Sequence, residues 1–288
     1  MDDSDDDEPG LAQRVFSTRH PDYDFCTVAI LWDRPDGIRV QRGTGTLVRF
    51  GGIPFLVTAS HVLVSHKKGT DPLRLLIIGP AGGEPITLTG EMLVSHKPGG
   101  AEDDDYDVAI FELPQEIVAA LGECVFLSQT DIVADDDFAD DYYFVSGIPT
   151  DWAKIEGEPT DGLVLLTYCT QPFLGETSSF GGYKPELHFL LSRGGGLHIS
   201  GEPAEMPKSL EGISGCSIWR SYYTTTHDDE VGQARVVAVQ TGTYLKGTAI
   251  KGTRWSVVKA ILAEFYPNLR PAMSRLLLPR RSGQARHI

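Results

Sequence analysis

The chain has 288 residues and a net charge of −15, from 25 basic and 40 acidic side chains. That length is ample for one large domain or two medium-sized halves, and the negative field disfavours nucleic acid and anionic membrane surfaces as partners. No apolar stretch approaches the ~20 residues that a membrane span needs, and the acidic start is unlike a secretory signal, so the sequence predicts a cytoplasmic protein.

The predicted elements begin after an acidic tail, residues 1–20, whose composition is typical of disorder. From Phe25 onward short apolar runs are broken by Gly, Pro and Asp, which is the pattern of an antiparallel β-protein. Residues 46–50 and 53–57 flank Gly51-Gly52, a pair that provides the positive φ angles of a two-residue hairpin loop. Further strands are predicted at 73–78, 86–93, 107–113, 124–127, 142–147, 163–169, 187–191 and 235–241.

One helix is predicted near the C-terminus, at residues 253–266. Its apolar face is formed by residues at helical spacing: Trp255, Val258, Leu262 and Phe265. Thr253 is the candidate N-cap and Pro267 ends the helix. Residues 267–288 form a basic tail.

Three short segments supply the groups that make a hydroxyl nucleophilic. Thr58-Ala59-Ser60-His61 ends a strand, Asp107-Val108-Ala109-Ile110 begins one, and Gly212-Ile213-Ser214-Gly215 is a turn of small residues. A carboxylate at the edge of an apolar run needs a polar partner, and an imidazole N–H is a suitable one. The glycines permit a tight turn that exposes the serine hydroxyl and gathers backbone N–H groups into an oxyanion hole. The set therefore predicts a Ser-His-Asp site.

Each predicted group has alternatives in the sequence. The other acids before the apolar strand are Asp103, Asp104 and Asp105, but only Asp107 leads directly into it. Cys216 is a second candidate nucleophile, although a buried structural thiol is the more typical role. The four cysteines are widely spaced and form no Cys-x-x-Cys pair, which predicts reduced thiols. The scattered histidines predict no metal site.

The three segments resemble the signature blocks of the trypsin/chymotrypsin-like serine proteases. The order His, Asp, Ser matches, and the separations, 46 residues from His61 to Asp107 and 107 residues from Asp107 to Ser214, are similar to those of the family. The resemblance covers roughly residues 25–266. It implies an all-β fold of two packed antiparallel β-barrels followed by a C-terminal helix, with the first barrel at 21–130 and the second at 131–252.

The resemblance also implies an activity, that of a serine endopeptidase working without a cofactor. His61 would be the general base, Asp107 the group that orients it, and Ser214 the nucleophile, with the N–H groups of Gly212 and Ser214 as the oxyanion hole. The partners implied are a protein or peptide substrate and, as a further expectation, a regulatory protein. Ile213 departs from the family, because an acidic residue precedes the serine in digestive members. A catalytically inactive binding module with the same fold is the alternative function.

The resemblance places a substrate pocket near the serine. Lys208 would form its floor, and the strand end Gln240-Thr241-Gly242 its wall, with Gly242 leaving an opening. A lysine at the base of the cleft favours an acidic side chain before the cut bond. The alternative is that the loop at 203–210 differs in length from that of the family, so that Lys208 points to solvent.

Overall fold

The computed structural model describes fourteen stretches of the chain: residues 15, 17–18, 22–34, 38–63, 74–94, 106–133, 142–150, 165–177, 182–194, 196–197, 203–204, 209–221, 233–244 and 247–274. Within them the chain forms two curled antiparallel sheets, one from each half of the sequence. None of the described helices is both long and apolar enough to cross a membrane.

The first sheet has seven strands from the N-terminal half. In chain order they are β1 (Thr27–Asp33), β2 (Arg39–Phe50), β3 (Ile53–Ala59), β4 (Arg74–Ile78), β5 (Ile86–Thr87), β6 (Met92–Val94) and β7 (Val108–Glu112). Their spatial order is β5-β4-β1-β2-β3-β7-β6. The predicted hairpin is confirmed: β2 and β3 pair across Gly51 and Gly52, whose φ angles are 56° and 88°.

The second sheet has eight strands from the C-terminal half. In chain order they are β8 (Tyr143–Gly147), β9 (Leu166–Thr170), β10 (His188–Ser192), β11 (Gly196–Leu197), β12 (Pro203–Ala204), β13 (Ser217–Arg220), β14 (Arg235–Tyr244) and β15 (Ala249–Arg254). Their spatial order is β10-β15-β14-β13-β8-β9-β11-β12. β14 shifts register once against β13 and once against β15, which increases the twist of the sheet.

Helices are few and short except at the C-terminus. They are α1 (Ser60–Leu63), α2 (Gln115–Ala120), α3 (Trp255–Phe265) and α4 (Arg270–Ser274), with 3₁₀ turns at Gln129–Asp131 and Pro267–Leu269. In the predicted helix, α3, Trp255, Val258 and Leu262 are buried as expected, whereas Phe265 is 55 % exposed. The predicted cap is wrong: Arg254 holds the N-cap position of α3, and Thr253 belongs to β15, where it pairs with His188 and Val239.

One apolar cluster lies between the two sheets, and each sheet also encloses a cluster of its own. Buried side chains from both pack into a single cluster that also takes in α3; they include Phe50, Phe55, Val57, Ile110, Phe144, Trp219, Val236, Trp255 and Leu262. Tyr23 lies over Trp219 with ring centroids 4.2 Å apart, so the chain before β1 packs on the second sheet. Packing begins earlier still, since Val15 and Thr18 are buried and the Ala234 N–H donates to the Thr18 carbonyl.

The predicted fold class, an all-β chain of two packed antiparallel units with a C-terminal helix, is confirmed. Two strand predictions differ from the structure. Residues 124–127 form only an isolated bridge from Leu127 to Val48. The run 86–93 divides into β5 and β6, because Gly90 between them has φ 131°, outside the range of a regular strand.

Candidate functional site

His61 and Asp107 lie together because of how β3 pairs with β7. Ala59, the last residue of β3, is the partner of Val108, the first residue of β7. Since the strands are antiparallel, the residue after β3 and the residue before β7 meet at the same end of the sheet. α1 begins there at Ser60, which places His61 in its first turn opposite Asp107.

Three hydrogen bonds converge on the Asp107 carboxylate. His61 Nδ1 lies 2.7 Å from Oδ2. The other oxygen, Oδ1, accepts from the Ser60 hydroxyl at 2.8 Å and from the His61 backbone N–H at 3.0 Å. The side chain of Asp107 is 13 % exposed and that of His61 is 33 % exposed. The acid is therefore enclosed, while one side of the imidazole still reaches solvent.

These contacts determine the charge of Asp107 and the tautomer of His61. Burial by itself raises the pKa of Asp107, but the hydrogen bond and positive charge of His61, with the His61 N–H and the Ser60 hydroxyl, lower that pKa below its ordinary value. An ionised carboxylate only accepts hydrogen bonds, so Nδ1 of His61 carries the proton. The lone pair of a neutral imidazole is then on Nε2, the atom that can act as a base.

The backbone of Asp107 is in a conformation that few residues adopt. Its φ is 48°, in the left-handed region where Asp and Asn are tolerated better than most side chains. The Asp107 carbonyl accepts from the Ser60 N–H at 3.1 Å. The carbonyl and the carboxylate of Asp107 therefore both accept hydrogen bonds from the start of α1. Strain of this kind persists where surrounding contacts hold it, and it is frequent at functional sites.

The Ser60→Ala substitution is expected to destabilise the protein by about 1–2 kcal/mol at pH 7, because Asp107 loses a buried donor to its charge. The pKa of Asp107 is lower in the folded protein than in the unfolded chain, where it is about 3.9, so its charge stabilises the folded protein at pH values above about 3.9. This stabilisation is lost as the pH falls through the pKa of the folded protein. The difference between the two proteins should therefore shrink below about pH 4. Urea unfolding at pH 7 and at a series of pH values from about 4 down to about 2 measures it. A pH-independent difference, or an equal loss in the Asp107→Asn background, would mean that the bond does not act on the charge.

Ser214 lies in a tight turn between two glycines with positive φ. Gly212 and Gly215 have φ angles of 92° and 91°, and the turn closes with the Cys216 N–H donating to the Ile213 carbonyl at 3.0 Å. Ser214 is half-buried, whereas both glycines are buried. The main chain thus turns inward around the serine and leaves its side chain at the surface of the site.

Gly215 brings this turn against the start of α1. A Cβ atom on Gly215 would overlap Thr58 Oγ1 and the Thr44 carbonyl oxygen, and it would lie 2.8 Å from the Ala59 nitrogen. Thr58 and Ala59 are the two residues before Ser60, so the close approach places Ser214 beside the first turn of α1. No hydrogen bond links Ser214 Oγ to His61 among the described contacts; in unliganded sites such bonds are often long and tighten when substrate binds.

Two backbone N–H groups of the turn are available as hydrogen-bond donors. The N–H groups of Gly212 and Ser214 have no acceptor within the part of the chain that the structure describes. Buried backbone N–H groups are rarely left without a partner. Two such groups, one on the serine itself and one two residues before it, are what an oxyanion hole requires, because the developing negative charge must find preorganised donors.

Cys216, the alternative nucleophile, is in the wrong environment for that role. Its side chain is fully buried behind the turn, and burial raises the pKa of its thiol well above the ordinary value. A thiolate is the reactive form of cysteine, so a thiol held protonated is inert. All four cysteines are free thiols, as the sequence predicts.

The residues of the predicted pocket wall lie next to the serine turn. The Gly215 N–H donates to the Gln240 carbonyl at 2.8 Å, which joins the turn to β14. Thr241 is buried and its hydroxyl bonds to that of Thr253 at 3.0 Å. Gly242 faces Lys251, whose Cε would be 3.6 Å from an added Cβ. Lys208, the predicted floor, lies outside the described residues.

Sequence reasoning missed three buried polar side chains at this site: Ser60, Thr44 and Gln41. Ser60 stands directly before the histidine, and its spacing gave no sign of a role. Thr44 and Gln41 lie in β2 and bond to the serine turn from the other sheet. No signal in the sequence marked them, because residues 39–46 are mostly polar residues and glycine. Metal-binding groups of three or more His, Cys, Asp or Glu side chains are absent from the described ranges.

Comparison with known proteins adds little beyond the fold. No model of a known protein family matches the chain, and no curated protein matches it either. Among solved structures, it is similar to that of a Glu endopeptidase in complex with MPD. The two share 14 % sequence identity with a TM-score of 0.48, over 90 % of this chain and 94 % of that one. That likeness concerns the fold alone.

Proposed function

We propose that the protein is a serine endopeptidase in which Ser214 is the nucleophile, His61 the general base and Asp107 the orienting acid. The observation that carries the proposal is the 2.7 Å bond from His61 Nδ1 to Asp107, together with a turn whose serine carries one available amide donor and follows a second, that of Gly212, by two residues. Each part has a defined role in acyl transfer from serine. The proposal is supported by the close approach of Gly215 to Thr58 and Ala59, which lie just before His61 in the chain.

In the proposed reaction, Ser214 Oγ attacks the scissile carbonyl carbon while His61 Nε2 takes the hydroxyl proton. The carbonyl oxygen becomes an oxyanion that accepts hydrogen bonds from the Gly212 and Ser214 N–H groups. The imidazolium is stabilised by Asp107 and returns its proton to the leaving amine as the C–N bond breaks. A water molecule then attacks the acyl ester carbon while His61 takes its proton. His61 returns that proton to Ser214 Oγ as the C–O bond breaks, which releases the acid and restores the serine hydroxyl.

A polypeptide substrate is favoured by the edge of β14. Pairing of β14 with β13 ends at Val239, opposite Ser217, and the Gln240 N–H then donates to Cys216. Beyond Gln240, no strand pairs with that side of β14 among the described residues, while β15 covers the other side. An extended peptide can add to such an edge through main-chain hydrogen bonds. This edge begins directly beside the serine turn, so a bound peptide would pass the nucleophile.

Labelling by a fluorophosphonate probe tests the proposal, because such a probe reacts with a serine that an adjacent base activates. We expect the wild-type protein to be labelled and Ser214→Ala not to be labelled. Ser217→Ala is the matched control, since Ser217 is the next hydroxyl along the chain but is buried and bonded to Thr46. It should remain labelled.

The same experiment separates the enzyme from an inactive binding module. A wild-type protein that binds peptides but is never labelled would favour the module and overturn the proposal. Labelling that persists in Ser214→Ala would mean that another residue is the nucleophile. If the probe reacts as expected, incubation with an unfolded protein substrate and mass spectrometry of the products would identify the bonds that are cut.

A further inference from the structure

Two polar side chains of β2 reach across from the first sheet to the serine turn. Thr44 is fully buried, and its hydroxyl donates to the Gly212 carbonyl at 2.7 Å while accepting from the Ile148 N–H at 3.1 Å. Gln41 is 5 % exposed, and its Nε2 donates to the Ile148 carbonyl at 2.5 Å and to the Gly212 carbonyl at 3.3 Å. Both donors therefore meet at one carbonyl oxygen, that of Gly212.

The backbone of β2 adds a third contact. The Thr44 N–H donates to the Ser214 carbonyl at 2.8 Å, so one residue holds the turn at two carbonyls. A Cβ on the preceding residue, Gly43, would lie 2.7 Å from that same Ser214 oxygen, which means that only glycine allows the strand to come so close. The serine turn is thus bound to the first sheet on both sides of its nucleophile.

These bonds determine which way the amide hydrogens of the turn point. In a trans peptide the C=O and N–H groups point in opposite directions. The Glu211 carbonyl accepts from the Thr150 N–H at 2.8 Å, which turns the Gly212 N–H away from Thr150. The Gly212 carbonyl is directed to Thr44, which turns the Ile213 N–H toward the Leu210 carbonyl, its acceptor at 3.3 Å. If the Gly212 carbonyl were released, the adjacent peptide planes could rotate and the oxyanion donors would be lost.

The side chain of the residue between the two donors makes no polar contribution to this arrangement. Ile213 is fully buried in the apolar core of the second sheet and carries no charge that could anchor the turn. The orientation of the turn must then come from its main-chain carbonyls. On the proposed function, we infer that Thr44 is a positioning residue: its hydroxyl, assisted by Gln41, holds the Ser214 turn in the conformation in which both N–H groups face the oxyanion.

The test compares three substitutions by the second-order rate of fluorophosphonate labelling. Thr44→Val keeps the shape of the side chain but removes its hydroxyl, and it should slow labelling by about 10- to 100-fold, less than the roughly 10²–10³-fold loss typical of removing an oxyanion donor itself. Thr44→Ser keeps the hydroxyl and should label within about threefold of wild type. Thr46→Val is the matched control: Thr46 lies two residues along the same strand and bonds across the sheets, but to Ser217 and not to the turn. It should also label within about threefold of wild type.

Thermal unfolding of each variant distinguishes a local effect from loss of the fold. A Thr44→Val protein that is folded and labelled at the wild-type rate would overturn the positioning role and leave the proposed function intact. Equal slowing in Thr46→Val, or no recovery in Thr44→Ser, would also overturn it. If Thr44→Val does not fold, the Gln41→Met variant provides the test, because it removes the second donor to the Gly212 carbonyl. It should slow labelling several-fold, and labelling at the wild-type rate would contradict the inference. A wild-type protein that is never labelled would remove the proposed function itself, and the positioning role with it.

Discussion

Asp107→Asn is expected to lower the turnover rate by about 10⁴-fold with little change in the fold, the magnitude typical of a reversed tautomer in a Ser-His-Asp site. The contacts of Asp107 explain why. Its Oδ1 accepts from the Ser60 hydroxyl and from the His61 N–H, so an asparagine would place its oxygen there and its amide nitrogen opposite His61 Nδ1. That nitrogen donates, so Nδ1 must accept, and the imidazole proton moves to Nε2. His61 could then no longer take the proton of Ser214.

The backbone should tolerate this change, because Asn adopts positive φ angles as readily as Asp does, and Asp107 has φ 48°. The measurement is kcat for hydrolysis of an activated ester or peptide, with circular dichroism as the test of folding. Asp131→Asn is the matched control: Asp131 also accepts from a serine hydroxyl and a backbone N–H, at Ser128, but lies in a 3₁₀ turn away from the histidine. Near-normal turnover in Asp107→Asn would mean that another acid, such as Asp103, Asp104 or Asp105, orients the base.

Gly215→Ala is expected to destabilise the protein by about 3–5 kcal/mol and to abolish labelling of Ser214. Two effects add. The φ of Gly215 is 91°, a region that disfavours any side chain by about 1–2 kcal/mol. In addition, the new methyl group would overlap Thr58 Oγ1 and the Thr44 carbonyl, and these two atoms belong to adjacent strands joined by their own 2.7 Å hydrogen bond. The turn would have to move away from α1, carrying Ser214 from His61.

Gly52→Ala separates the two effects, because Gly52 has a nearly equal φ, 88°, with no atom within 4 Å of the added Cβ. It should cost only the conformational part, about 1–2 kcal/mol, and leave labelling unchanged. Urea unfolding gives both values. If the Gly215→Ala protein were no less stable than the Gly52→Ala protein, the result would contradict the close approach of the serine turn to the first sheet.

The sequence alone determined the class of fold and named the residues of the candidate site. Short apolar runs separated by glycine and aspartate predicted antiparallel sheets, since strand periodicity and turn chemistry are local properties of the chain. The Gly51-Gly52 hairpin and the apolar face of α3 followed from the same local rules. The order of His61, Asp107 and Ser214 suggested one site, because each stands where a predicted strand meets a turn.

Only the tertiary structure decided how those groups are held. Ser60, Thr44 and Gln41 bond to residues between 47 and 171 positions away in the chain, and no local pattern reveals such partners. Thr253 is a residue type that often caps helices, but its pairing with β10 and β14 places it in β15, one residue before the N-cap position of α3. The close approach of Gly215 to Thr58 likewise depends on how the two sheets pack. Propensity and periodicity act over a few residues, whereas hydrogen bonds to buried carbonyls depend on which distant segments packing brings together.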